Sequence, residues 1–123
     1  MKKFNWKVTK TSKDTRARTG LITTPHGEVE TPAFIFCGTK GALKSCSTVQ
    51  AKNNNTQIIL SNTFHLMLQP GSNIISKHGG IHNFMNWQGP TLTDSGGFQI
   101  FSLGYGSVAD EIKRKNSNQN KSL

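Results

Sequence analysis

Three short apolar stretches decide what this chain can fold into. Residues 33–37 read AFIFC, residues 58–60 read IIL and residues 91–93 read TLT. The first two show no apolar–polar alternation, so they lack the period of a strand with one wet face. Each stretch stops in small polar residues: Gly38-Thr39, Ser61-Asn62-Thr63 and Asp94-Ser95-Gly96-Gly97. The stretches lie about 24 and about 33 residues apart, room for a crossover helix each time. This rhythm predicts an α/β fold with parallel strands buried on both faces. In such sheets ligand-binding groups gather at the C-terminal strand ends. The three polar clusters should therefore share one rim.

The preceding segment has a different texture. Residues 4–11 alternate and read as an edge strand. Residues 18–24 and 28–31 flank Pro25-His26-Gly27, which predicts a hairpin. Further on, residues 43–52 suit a helix, with Ser47 or Thr48 as its N-cap. A second helical stretch lies within residues 66–77. Pro70-Gly71 interrupts it, Ser72 or Asn73 would cap its second half, and Gly79-Gly80 stops it. Residues 110–115 suit the start of another helix, and residues 116–123 are polar enough to read as a disordered tail or an insertion loop. The organisation read from this is N-terminal strands and hairpin over 1–31, strand–helix units over 32–110, and a polar tail over 111–123.

Charge narrows the partners. The 123 residues carry 15 Lys and Arg against 6 Asp and Glu, a formal net charge of +9. Lys2, Lys3, Lys7, Lys10, Lys13, Arg16 and Arg18 crowd the first segment, opposed there only by Asp14. Such an excess favours a polyanion, nucleic acid before membrane. Plain solubility explains the charge equally well. No apolar run approaches the roughly 18 residues of a membrane span, and no signal-peptide pattern opens the chain. Cys37 and Cys46 have neither zinc spacing nor the number for a disulfide scaffold. A reduced, cytoplasmic setting is expected. His78 and His82 have the i, i+4 spacing of a helical metal pair, but Gly79-Gly80 lies between them. No metal ligand is assigned.

Asp94 raises a sharper question. Asp, Ser and Gly are common turn residues, so DSGG reads as a plain turn. It also reads as a ligand rim, with a carboxylate at a strand end and glycines that let backbone approach a ligand closely. The residues by themselves leave both readings open.

The wider pattern goes further. HGEVETPAFIFCGTKGALKS, IILSNTFHLMLQPG and GGIHNFMNWQGPTLTDSGGFQIFSL occur in this order. Over residues 18–103 the chain resembles the tRNA-guanine transglycosylases, also called queuine tRNA-ribosyltransferases. The blocks LTDSGGFQ and NTFHLMLQPG carry most of the resemblance. It implies the N-terminal portion of a (β/α)8 TIM-type barrel, preceded by a small antiparallel β element. The implied reaction exchanges guanine at the tRNA wobble position for a 7-deazaguanine such as preQ1 or queuine. One N-glycosidic bond breaks and another forms at the same ribose, with an enzyme aspartate holding the ribose covalently in between.

The resemblance also assigns residues. Asp94 matches the base-binding carboxylate that serves as acid/base group. Ser95, Gly96 and Gly97 would line the base pocket through their backbone, and Phe98 would stack on the base. Phe98 as core packing is the bland alternative. Asn62 and His65 fall near the ribose rim as supporting residues, and a structural histidine is the bland alternative for His65. Partners would be tRNA and the free base, and the family commonly forms homodimers. Two departures touch the base wall. Ile35-Phe36-Cys37-Gly38-Thr39 stands where MPVGT is usual, and Phe64 stands where tyrosine is usual.

The family's covalent aspartate and its one structural zinc, held by three cysteines and a histidine, match no residue of this chain. A whole barrel needs roughly 200 residues or more, and about three of eight strands are legible here. The expectation is a truncated enzyme, inactive by itself, with open strand edges and no cofactor of its own. The alternatives are a non-catalytic tRNA-binding fragment and a relic without function.

Overall fold

The computed structural model describes residues 3–103. The helix expected from residue 110 and the polar tail at 116–123 fall outside them. In chain order the elements are β1 (Asn5–Thr11), β2 (Arg18–Thr24), β3 (Gly27–Thr31), β4 (Phe36–Cys37), α1 (Thr48–Asn53), β5 (Ile59–Ser61), α2 (Thr63–Leu68), α3 (Ser72–Lys77), α4 (Ile81–Met85), β6 (Thr91–Thr93) and α5 (Gly97–Leu103). They form a mixed α/β structure with two sheets.

The first sheet is antiparallel, in the order β1-β2-β3, so β1 is an edge as its alternation predicts. Thr24 pairs with Gly27, which leaves Pro25-His26 as a two-residue loop. The Thr24 hydroxyl locks it, donating to the Gly27 carbonyl at 2.9 Å and accepting from the His26 N–H at 3.1 Å. Trp6, Ile22 and Val29 stand opposite one another on one face, where Val29 is buried. The Trp6 ring lies flat across β2 at Gly20, so close that a Cβ there would sit 2.1 Å from it. Only glycine permits that approach.

The second sheet is parallel, in the order β4-β5-β6, with Phe36, Ile59 and Thr91 in one row. Its middle strand carries the core. Ile59 and Ser61 are wholly buried, and Ile59 packs with Met85 and Trp87, flanked by Leu43, Ile81 and Phe84. Ser61 donates to the Met85 sulfur at 3.2 Å, and the Trp87 indole N–H to the Pro90 carbonyl at 3.0 Å. The expectation of three strands buried on both faces is corrected here. Phe34, Ile35, Phe36 and Leu92 are exposed. Among the described residues only β5 has a neighbour on each side; β4 and β6 are sheet edges there, and strand order sets their burial more than apolar sequence does.

The helices follow their caps. Ser47 caps α1 in a reciprocal capping box with Gln50, which satisfies two otherwise orphaned N–H groups. The second helical stretch starts earlier than its pattern predicts, because Asn62 caps α2 by accepting from the His65 N–H at 3.1 Å. Gly71 is the N-cap of α3 and Ser72 is already helical, which corrects the expected Ser72 or Asn73 cap. Gly80 opens α4, which no periodicity announced in five residues. His78 therefore closes α3 while His82 belongs to α4.

The antiparallel sheet covers the N-terminal end of the parallel strands. The Gln57 amide, just before β5, accepts from the Glu30 N–H at 2.7 Å and donates back to its carbonyl at 3.4 Å, much as a neighbouring strand would. Ahead of β6, Pro90 accepts from the Ile59 N–H at 3.3 Å. The hairpin loop adds a ring contact: His26 stacks on His82, centroids 3.6 Å apart and planes 11° from parallel.

Candidate active-site rim

Thr39, Asn62 and Asp94 follow β4, β5 and β6, and the structure brings them to one rim as their sequence positions predict. The Asn62 N–H donates to the Thr39 carbonyl at 3.2 Å, which ties the first two strand ends together. Asp94 ties in the third. Its Oδ1 accepts from the Thr63 N–H at 2.8 Å, and its Oδ2 accepts from the Asn62 side-chain amide. The Thr63 hydroxyl donates to the Asp94 carbonyl. Three contacts thus fix a half-buried carboxylate and its backbone.

Asn62 performs two tasks with one side chain. Its oxygen caps α2 and its NH₂ holds Asp94. Burial at 7 % exposure fixes which way each end points. Each Asp94 oxygen has one protein donor, and a carboxylate oxygen accepts two hydrogen bonds. One acceptor site per oxygen therefore remains for a ligand N–H edge.

The other rim residues divide. Gly96 is buried with φ +70, and a Cβ there would meet the Phe64 Cβ at 3.1 Å. Backbone geometry and space both demand glycine. The exposed Ser95 hydroxyl accepts from the Gly97 N–H at 3.2 Å, turning the chain into α5, and the Gly96 carbonyl accepts from the Ile100 N–H at 3.1 Å. Gly97 is the first residue of that helix. Phe98 is 76 % exposed beside the rim. His65 is half-buried with its ring edge-on to Phe64, centroids 5.9 Å apart. Its side chain points to packing, and only its N–H joins the Asn62 network.

Sequence reading passed over Thr63. A signal was available: the first residue of a capped helix has an N–H with no partner inside the helix, and an acceptor placed ahead of it takes that bond. A concavity of about 640 Å³ lies elsewhere, lined by His26, Glu28, Lys52, Trp87 and Pro90 among others, at the strands' other end. The C-terminal strand ends, where Asn62 and Thr63 hold the Asp94 carboxylate, are the usual place for a ligand in a parallel sheet.

The profile of one protein family, Queuine tRNA-ribosyltransferase, matches residues 13–121. The chain belongs to the queuine tRNA-ribosyltransferase family. It is 57 % identical over 104 residues to a queuine tRNA-ribosyltransferase of Roseiflexus sp. (strain RS-1), covering 85 % of this chain and 26 % of that protein. The namesake of Halothermothrix orenii is 58 % identical over 102 residues, 83 % of this chain and 26 % of its own length. That of Protochlamydia amoebophila is 46 % identical over 112 residues, 91 % of this chain and 29 % of its own length. The chain thus spans about a quarter of the length of these relatives.

The zinc that the family resemblance implies does not fit the described residues. Cys37 and Cys46 are both exposed, and among the described residues no three His, Cys, Asp or Glu side chains converge as a metal site would need. No helix among the described residues is long and apolar enough to cross a membrane.

Proposed function

We propose that this chain supplies the base-recognition rim of a tRNA-guanine exchange enzyme, within the first strand–helix units of a (β/α)8 barrel. The observation that carries the proposal is the Asp94 carboxylate, pinned by Asn62 and Thr63 at a parallel-strand end with acceptor capacity to spare. A guanine presents two neighbouring N–H donors on one edge. A fixed carboxylate accepts from both, and an adenine offers no such pair. As the glycosidic bond breaks, the departing purine needs a proton, and the incoming base must lose one. Asp94 is placed to exchange that proton as acid/base group.

The remaining roles follow from position. Ser95, Gly96 and Gly97 present backbone to the base, and Phe98 offers its exposed ring as a stacking surface, the sequence-tolerant part of recognition. Asn62 is a positioning residue for Asp94, and His65 supports the same helix. The covalent carboxylate that would hold the ribose has no counterpart on this rim. The reading therefore assigns this chain base binding and proton transfer, and it leaves ribose capture to the part of the relatives that the chain does not span. The substrates on this reading are tRNA and guanine or a 7-deazaguanine.

The test uses the Roseiflexus relative with its matched segment replaced by this chain's. Equilibrium binding of labelled guanine to that chimera should weaken by about 10–100-fold in Asp94→Asn, the loss of charge-assisted hydrogen bonds. Competition by adenine should be weak in both. Equal guanine affinity in the two proteins would remove Asp94 from the base site.

A further inference from the structure

We infer that the β1 edge and the β1–β2 turn form an RNA-backbone contact surface, remote from Asp94. Lys7, Lys10, Lys13, Arg16 and Arg18 all project from this end of the antiparallel sheet, and all are exposed. A register shift between Val8 and Lys10 makes the patch coherent. Lys7 stands opposite Leu21 and Lys10 opposite Thr19, which share one face of β2. Without the extra residue, an odd spacing would send the two lysines to opposite faces; a bulge re-aims one of them.

The turn is ordered by its own hydroxyls. Ser12 accepts from the Asp14 and Thr15 N–H groups, both at 3.2 Å, and its N–H donates to the Ala17 carbonyl at 2.9 Å. Lys13 and Arg16 therefore extend from a fixed backbone. Beside them a notch of about 360 Å³ has an apolar floor that includes Ala17 and Pro32, with Lys10, Thr11, Ser12, Arg18 and Thr19 around it. Cations set among hydroxyls suit phosphate oxygens, which accept from both. A membrane-seeking face would instead project aromatic rings beside its cations. The exposed Trp6 stands opposite Ile22, on the strand face turned away from Lys7 and Lys10, and the exposed Phe4 precedes the strand.

The surface sits with the antiparallel sheet at the N-terminal end of the parallel strands, while Asp94 follows β6 at the other end. The two would engage separate parts of one RNA. The inference rests on the proposed function only for the choice of tRNA as the RNA.

The full chain and a fluorescent tRNA transcript test it by anisotropy from 50 to 300 mM KCl. Lys7→Ala/Lys10→Ala/Arg18→Ala should weaken binding at least about tenfold and flatten the salt slope by about 2–3, since each lost phosphate contact removes just under one counterion. Lys44→Ala/Lys52→Ala/Lys77→Ala removes equal charge elsewhere and should change affinity less than about twofold. Equal loss in both triples would reduce the surface to general charge and overturn the inference, as would no loss in the first. Tighter binding to phosphatidylserine vesicles than to tRNA would overturn it in favour of a membrane. Failure of the base-site reading shows in guanine binding by the chimera, and failure of this one shows in the salt dependence of tRNA binding by the Lys7/Lys10/Arg18 variant.

Discussion

At the scale of single residues, Asn62 couples the fold to the site. Its oxygen caps α2 and its amide holds Asp94. Asn62→Ala should cost about 1–2 kcal/mol, the usual loss of an N-cap, and should release the Asp94 Oδ2 while Thr63 still holds Oδ1. Asn62→Asp keeps the cap acceptor but sets a second carboxylate against Asp94. Like charges at that distance raise the pair's affinity for a proton. The Asp variant should therefore be less stable than the Ala variant at pH 7, and the gap should close as pH falls below about 5. Urea unfolding of both variants across that range measures it; a pH-independent gap would show that the two carboxylates do not meet. NTFHL made Asn62 visible in the sequence. The partnership with Thr63 was hidden, because a backbone donor has no side-chain signature.

At the scale of elements, the hairpin was legible and the edges were not. Pro25-His26-Gly27 marked the turn because few residues tolerate it, and alternation marked β1. Burial of β4 and β6 depends on neighbours in space, which local apolarity does not report. Gly80 and Gly71 took cap positions that polar residues would ordinarily fill, so α3 and α4 were misplaced or missed. Two contacts of the antiparallel sheet give tests. Gly20→Ala puts a methyl into the Trp6 ring, and overpacking of this kind costs about 1–3 kcal/mol. A urea midpoint equal to wild type would mean that the ring moves aside freely.

The second contact is the His26–His82 stack. Burial holds the His82 imidazole below its usual protonation range, the His26 ring adds to that, and a bond to the Gly89 carbonyl opposes it. A depressed folded-state pKa gives stability that is present above about pH 6.5 and lost as pH falls through the folded value. Stability should thus decline from about pH 6.5 downward, before the carboxylates titrate. His26→Ala should shrink that decline. Identical pH profiles would place no charge coupling across the stack.

At the scale of the molecule, the two ends of the parallel strands differ. The antiparallel sheet closes the N-terminal ends of the parallel strands, and among the described residues no further strand pairs with β4 or β6, while Phe98, Ile100 and Phe101 on α5 are exposed. That asymmetry suits a segment that makes one rim of a larger site, and the relatives are a little over three times its length. The strand–helix rhythm made the α/β class legible, because parallel strands need a crossover between them whatever their burial. The site's chemistry was legible only as a pattern, since spatial convergence of Asn62, Thr63 and Asp94 requires the crossover between β5 and β6. The most direct measurement is labelled-guanine incorporation into tRNA by the Roseiflexus chimera carrying this chain's segment. Asp94→Asn should lower the exchange rate by about 10²–10⁴, the range of a lost acid/base group; exchange at the unaltered rate would contradict the central role given to Asp94.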